Sequence, residues 1–541
     1  MSRANPGRLA GFLCLVLIAA LAPAILKGGV FLTAYEGDAL HVSDIVMRMV
    51  AGQLPHLDFE TPLGIGAFAP IALFVSQGHA LGEAYLYAQG AVALLALPLI
   101  YWAVGTRLPS LSAYALGAVA LVVITSLSYG VAKPPVTIAM HYNRWGWGLV
   151  FAAAMMICLP ARDGPRPMID GLVLGLIFSG LALIKATYFA AFAPVALLAL
   201  LMRGQITAIA FAAATGIAVI GAVTVFTGPA FWMAYVQDLL RVTASETREF
   251  PGLGFAQVLV SPPYFVATLT AVAGALVIRG SGRPVDGLLL LLLIPGFAYA
   301  TFQNFGNDAL WVIPLAAILI AARPAPEEVT VYGQDVRSVL TVLATVAATL
   351  SIPHVQSLGA GALRHLALGD DAFEPLLAPD APQLSGINTA TVRANTTRAA
   401  RDMRADGQPY EMLIDATEPG AAPATIAGET LPDCRFDAGI VGALRVQAGE
   451  IAGLDAPVFI ADLLSPHWLF NGTAPLPGGA PWNYGTLAGL GNAGYVMVPT
   501  CAVSTKARGA ILRALSDTDV RLEETGRSPR AIVFRIAREA G

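Results

Sequence analysis

The chain has 541 residues, of which 56% are hydrophobic and only 13% charged, and its mean hydropathy is +0.66. Soluble globular chains carry roughly 25% charge, so an ordinary water-soluble domain is excluded. The net charge of −4 says little about partners, and no basic block or aromatic-basic interleaving suggests nucleic acid.

The first apolar run, 9–27, comes after a short polar start with Arg3 and Arg8. It has the outline of a signal peptide, with small residues at Ala20 and Ala22. The membrane character of the remaining chain favours an uncleaved first helix. Further runs near the length that crosses a bilayer, roughly 20 residues, occur at 84–104, 110–131, 145–160, 168–184, 186–202, 206–228, 260–278, 286–302, 309–322 and 338–353. The expected fold is therefore mainly α: a polytopic transmembrane helical bundle of eleven spans over 1–353, with an outer first loop at 28–83.

Arginine and lysine set the expected orientation. With the N-terminus cytoplasmic, the short inner connections hold Arg3, Arg8, Arg107, Arg162, Arg166, Arg203, Arg279, Arg283, Arg323 and Arg337. The longer outer connections hold fewer, namely Lys27, Arg48, Lys133, Arg144, Lys185, Arg241 and Arg248. This satisfies the positive-inside rule. Segment 63–76 then has to be a half-buried or re-entrant helix, because counting it as a span reverses every later loop; Gly64, Gly66 and Pro70 also weaken it. The alternative makes it a true span and lets 168–202 cross once.

From Ser351 onward charged and turn residues return. Buried strands are expected at 410–415, 456–461, 494–499 and 530–536, and helices at 394–405 and 505–516. The expectation is a C-terminal extramembrane α/β domain over 354–541, on the outer side. For a bacterial chain that means a multi-pass inner-membrane protein with a periplasmic C-terminal domain. Cys14 and Cys158 fall in apolar spans, whereas Cys434 and Cys501 lie in the polar region and are the disulfide candidate if that region is outside. There is no Walker loop, no GxGxxG after a strand and no zinc-type spacing.

Four outer loops gather polar residues. The first holds Glu36, Asp38, His41, Asp44, Asp58 and Glu60; its stretch 38–52 has a helical apolar pattern and is expected to lie along the surface. The second ends in Tyr142-Asn143-Arg144-Trp145, the third contains Asp238 and Arg241, and the fourth ends in Asn307-Asp308. Trp145, Trp147, Trp232 and Tyr235 read as interfacial belt residues. Asp44 and Glu60 read as solvated or capping. Lys185 has two readings, a snorkelling cation or a phosphate contact. Together, a carboxylate that takes a hydroxyl proton and cations that hold a phosphate beside lipid suit a sugar carried on a lipid phosphate.

The first loop, Glu36-Gly37-Asp38 with Gly52-Gln53-Leu54-Pro55-His56-Leu57-Asp58-Phe59 and Thr61-Pro62-Leu63-Gly64, resembles the GT-C superfamily. The Tyr142 to Trp145 loop end and the outer C-terminal domain add to the likeness. GT-C proteins are polytopic glycosyltransferases that use polyprenyl-phosphate sugars, among them protein mannosyltransferases and the aminoarabinose transferase of lipid A. Many relatives carry adjacent Asp-Glu here, whereas this chain has Glu36 and Asp38 split by Gly37. The resemblance implies that Asp38 is the base, with Glu36 in reserve. It implies that Arg144 and Lys185 stabilise the leaving phosphate, and that Tyr142, Asn143, Asp58, Asn307 and Asp308 contact substrate. A single displacement inverts the anomeric carbon. No metal is required, although a divalent cation has a place if Asp38 meets Asp58 or Asp308. The expected partners are the lipid bilayer, a polyprenyl-phosphate sugar donor and a glycan, lipid or protein acceptor. Asp462, His467, Trp468, Trp482 and Tyr484 are the candidate acceptor contacts in the C-terminal domain. The rival readings are a transporter or flippase of a lipid-linked or polar substrate, and a scaffold.

Overall fold

Long apolar runs satisfy their backbone in lipid only as helices, and the computed structural model is mainly helical. It describes residues 3–128, 135–245, 247, 253–304, 308–324, 330–331, 333–377, 381–394, 424–431 and 439–537. In chain order the helices begin with α1 (Pro6–Lys27), α2 (Glu36–Val50), α3 (Ala69–Ser76), α4 (Leu81–Arg107) and α5 (Ser110–Thr125). Next come α6 (His141–Cys158), α7 (Pro167–Ile184), α8 (Ala186–Met202), α9 (Ile206–Thr227) and α10 (Ala230–Ala244). The series closes with α11 (Phe255–Val260), α12 (Pro262–Gly280), α13 (Pro284–Phe302), α14 (Val312–Ala321) and α15 (Val336–Leu366). Among the described residues, seven helices are long and apolar enough to cross a membrane: α1, α4, α7, α9, α12, α13 and α15. Helices α5, α8 and α14 are shorter apolar helices.

Segment 63–76 folds into a 3-10 turn and the eight-residue α3. At about 1.5 Å per residue such a helix covers about 12 Å, well short of a hydrocarbon core of about 30 Å. The 168–202 stretch is two helices, α7 and α8, which break at Lys185 where the backbone turns extended. Gly171 and Gly175 let α7 lie directly on α9, since a Cβ on either would enter the space of Ala208 or of Ala212 and Thr215. This small-xxx-small contact is a recurrent device in membrane helix packing.

One end of the bundle collects arginine–aspartate pairs. Arg107 at the end of α4 meets Asp170 in the first turn of α7 at 2.8 Å, and Arg203 after α8 meets Asp286 in α13 at 2.8 Å. Lys185 and the N-termini of α2 and α6 lie at the other end, where the first loop meets the C-terminal region.

That meeting differs from expectation in three ways. The last bundle helix runs without a break through 353 to Leu366, so a boundary at 354 falls inside a helix. Strand β1 (Val30–Leu32) in the first loop joins the C-terminal region's own strands. The strands after it are a short hairpin, β2 (Thr330–Val331) and β3 (Gln334–Asp335), then β4 (Phe373–Pro375) and β5 (Ile387–Ala390). The order is β1-β5-β4, with β1 parallel to β5. Helix α2 does not lie on an open surface. His41 to Met47 are all buried, because α3 covers one face and the C-terminal helix Ile440–Glu450 with Leu464, Trp468 and Trp482 covers the other.

A second hairpin, β6 (Thr425–Ile426) and β7 (Glu429–Thr430), precedes a four-stranded sheet. That sheet contains β8 (Val458–Ile460), β9 (Tyr495–Pro499), β10 (Arg521–Arg527) and β11 (Ala531–Ala537), ordered β10-β11-β9-β8. The expected strands at 456–461, 494–499 and 530–536 and the helix at 505–516 are present. The expected elements at 394–405 and 410–415 lie outside the described residues, apart from Ala394. Strand β10 was not anticipated, because Leu522 is its one large apolar residue and the rest is charged, polar or glycine, so it lacks the apolar run that marks a buried strand. Two cores result. One is continuous from the bundle into Val441, Leu444, Leu464 and Leu469; the other fills the C-terminal sheet around Phe459, Val496, Val498, Ile511 and Phe534.

Candidate functional site

The chain enters α2 from β1 through Tyr35, whose φ of 64° turns the backbone sharply into the helix. Glu36 comes next and is fully engaged. Both its carboxylate oxygens accept from Arg393, the second at 2.9 Å, and Thr389 donates to it at 3.3 Å. As a reserve base it is poorly placed, since its lone pairs already tie α2 to β5.

Asp38 is different. It has no hydrogen-bond partner among the described residues, and keeps a partly accessible edge while protein surrounds the rest. Burial pushes its carboxyl up to about 7. The Tyr35 phenol is raised above its usual value by burial and then by the Asp38 charge, with Asp308 adding and Arg393 opposing. His41, one turn beyond Asp38, is buried against Trp482 with ring centroids 4.8 Å apart, and burial lowers it to about 3. It is a neutral side chain with Nε2 unpartnered.

Next to Tyr35, α6 and the α7–α8 break bring further polar groups together. Tyr35 and Tyr142 pack together on Ala139 and Met140. Lys185 Nζ sits 5.6 Å from the Tyr142 ring centroid and donates to Asn143 Oδ1 at 3.0 Å, Asn304 Oδ1 at 2.9 Å and the Gln303 carbonyl at 3.2 Å. At 6% exposure Lys185 is not snorkelling into headgroups; it is a buried cation held by amides. Arg144, next to Asn143, turns toward α4: Nη1 donates to the Ala139 carbonyl at 2.9 Å, and the guanidinium lies beside the Tyr85 phenol. Its Nε and Nη2 are buried without a partner. Searches against protein families, curated proteins and solved structures found no match.

The structure thus gathers Tyr35, Asp38, Tyr142, Asn143, Lys185 and Asp308 at one end of the bundle, with Arg144 one step deeper. Asp58 is elsewhere: it is exposed and caps its own turn by accepting from Leu54 N at 2.7 Å. Asn307 and Cys434 lie outside the described residues, while Cys501 is disulfide-bonded. No group of three or more metal-ligating side chains occurs among the described residues.

Several bland readings also change. Asp44 is neither solvated nor a cap; it is fully buried, 2.7 Å from Arg48 Nε and 3.0 Å from Trp468 Nε1. Trp145, Trp147 and Tyr235 are core residues and not belt residues, because α6 runs through the centre of the bundle and α10 seats Tyr235 on the Ala182 carbonyl. Asp462 is closed, since its carboxylate accepts from the backbone of Leu463, Val503 and Ser504. Trp482 covers α2 at His41, and the Tyr484 carbonyl accepts from Ser245 and Thr247. The sequence reading missed Asn304, which the amide-rich run 303–308 pointed to, and Arg393, for which no local signal exists. It also missed the buried His56–Asp238 pair at 2.8 Å, which pins the first loop to α10.

Proposed function

We propose that this chain is a membrane glycosyltransferase of the GT-C type, moving a sugar from a polyprenyl phosphate to an acceptor hydroxyl. The observation that carries this reading is Asp38, a carboxylate without a hydrogen-bond partner among the described residues and raised to about 7, beside Tyr35, which packs on the same residues as Tyr142, the ring that the buried Lys185 ammonium approaches. A general base works best when its pKa lies near the working pH.

The acceptor hydroxyl gives its proton to Asp38 as its oxygen attacks the anomeric carbon. The bond from that carbon to the phosphate oxygen breaks, and its electron pair leaves with the polyprenyl phosphate. Lys185 and Arg144 offset the charge on that leaving group. Asn143 and Asn304 position the lysine, and Tyr35, Tyr142 and Asp308 line the sugar. The product has the inverted anomeric configuration.

Two observations support placing this end outside the cytoplasm. Arginines concentrate at the opposite end of the bundle, and Cys501 is in a disulfide, which oxidising compartments favour.

The test uses the full chain in nanodiscs with a panel of radiolabelled polyprenyl-phosphate hexoses and pentoses plus envelope extract as acceptor. The wild type transfers label with anomeric inversion, and Asp38→Asn, folded to the same degree, does not. Label that crosses the bilayer still attached to its carrier indicates a flippase. Full transfer by Asp38→Asn removes the base.

A further inference from the structure

At the end of the bundle away from Asp38, the connections α6–α7, α8–α9 and α12–α13 meet around an open cavity of about 400 Å³. Pro160 and Pro165 come from the first, Arg203 and Gln205 from the second, and Gly282 to Asp286 from the third and the start of α13. The volume lies in the range, roughly 300–1,000 Å³, typical of small-molecule sites. The transfer reaction uses none of these residues.

Arginine sets the charge of the wall. Asp286 is held between two guanidinium groups: Oδ1 accepts from Arg203 Nη2 at 2.8 Å, and Oδ2 accepts from Arg283 Nε at 2.8 Å and lies 2.7 Å from its Nη2. Arg203 also donates to the Met156 carbonyl at 3.2 Å, and Arg283 to the Ala322 carbonyl at 3.2 Å. Their other N–H groups have no protein acceptor among the described residues. A further cation stands at the rim, where Arg279 Nη1 donates to the Pro284 carbonyl at 3.2 Å.

Three arginines thus stand against one carboxylate, and both its oxygens are engaged. The neighbouring acids are occupied elsewhere, Asp163 by Arg3 and Asp170 by Arg107. Val285 and Asp286 belong to the first turn of α13, whose positive dipole end adds to the field. The side chains of Arg203 and Arg283 remain 14% and 31% exposed, so a ligand reaches them. A guanidinium fork with free N–H groups fits a phosphate.

The margin of the cavity says what carries that phosphate. Leu201 and Met202 precede Arg203, Ile206 follows Gln205, and all three are exposed, Ile206 by 62%. Helix α9 begins at Ile206 and has Ala208 and Thr227 as its buried residues, so most of its apolar surface is left to lipid. A soluble phosphate leaves this margin in water, whereas acyl chains attached to the phosphate cover it.

We propose that this cavity binds the headgroup phosphate of an anionic phospholipid in the leaflet at this end, with the acyl chains along the exposed apolar side chains of α8 and α9. A zwitterionic headgroup brings its own cation to a wall with a positive surplus and is disfavoured. The inference rests on no part of the sugar-transfer reading and stands if that reading fails.

The experiment is native mass spectrometry of the full chain in an uncharged detergent, titrated with phosphatidylglycerol or with phosphatidylcholine of the same acyl chains. Phosphatidylglycerol gives a saturable adduct and phosphatidylcholine a weaker one. Arg203→Gln and Arg283→Gln each weaken phosphatidylglycerol binding about fivefold. Arg337→Gln removes an arginine at the same end that does not line the cavity, and it binds as wild type does. Ala161→Trp puts bulk into the cavity wall and lowers the adduct without changing any charge; it decides the matter should the arginine variants not fold, as judged by thermal midpoint. Glycerol 3-phosphate in large excess leaves the adduct in place. The proposal is overturned by equal binding of the two lipids, by an equal loss in Arg337→Gln, or by wild-type binding in the folded cavity variants. Displacement by glycerol 3-phosphate at the lipid's own concentration overturns it too, and makes the site one for soluble phosphates.

Discussion

Two carboxylates two positions apart at the start of α2 have opposite fates, and the difference is one of partners. Glu36 is held by Arg393 and Thr389, whereas Asp38 has burial without compensation. The sign of the resulting pH dependence is fixed. Below about 7 the Asp38 carboxyl holds its proton and cannot accept another, so kcat/KM rises with pH through that value and levels off above it. A steady-state pH series measures this, and a profile flat between pH 5 and 9 contradicts it. Stability runs the other way. A carboxyl whose pKa is raised on folding costs nothing below its unfolded value and most above its folded one. Asp38→Asn therefore unfolds at a higher temperature than wild type at pH 8, with the difference gone below pH 4. A site that gains stability when its acid is removed is consistent with the trade between stability and activity.

At the level of elements, the turn at 64–67 shows how tightly the first loop is seated. Gly64 donates its N–H to the Ile184 carbonyl at 3.2 Å, and a Cβ there would run into the Leu183 carbonyl. This contact lies one residue from Lys185, so the loop braces the helix break that holds the buried cation. Gly64→Ala is expected to cost about 1–3 kcal/mol through overpacking and to lower transfer by disturbing Lys185. Gly221→Ala in α9, where a Cβ meets nothing, should gain a few tenths to about 1 kcal/mol. Thermal unfolding of both variants in nanodiscs decides the matter; equal midpoints would show that the contact is slack.

The same scale shows what the sequence made legible. Apolar run length marked α1, α4, α7, α9 and the later helices, because that signal is local. The gathering of Tyr142, Asn143 and Lys185 was also anticipated, since each sits at a helix end on one side. What escaped was set by distant partners. The burial of α2 required knowing that Trp468 and Trp482 cover its second face, and amphipathic spacing alone cannot separate a surface helix from a sandwiched one. Glu36 and Asp38 look alike until Arg393 is placed. Asp58 was misplaced because a turn-capping carboxylate has the same residue type as a ligand-binding one.

For the whole molecule, the first loop and the C-terminal region form one body. Arg48 reaches the Leu476 carbonyl, Glu60 N donates to the Gly479 carbonyl at 3.0 Å, and Glu36 meets Arg393. Glu36→Gln keeps size but removes the charge from a buried, charge-assisted contact, a loss of about 1.5–3 kcal/mol. The expected outcome is a lower unfolding midpoint for the C-terminal region, with faster protease cleavage there, and transfer retained by the molecules that remain folded. Complete loss of transfer at an unchanged midpoint would make Glu36 the acid that matters.

The pairing of strand 30–32 with strand 387–390 also bears on biosynthesis. The earlier strand leaves the ribosome long before its mate exists, so during translation its edge stands open while every bundle helix is still being inserted. A nascent chain stopped before residue 387 would carry Asp38 to the membrane with α3 on one face of its helix but nothing yet made to cover the other. If the proposed transfer is this chain's activity, competence would then arrive only after the bundle is complete, and half-made chains would not draw on lipid-linked sugar.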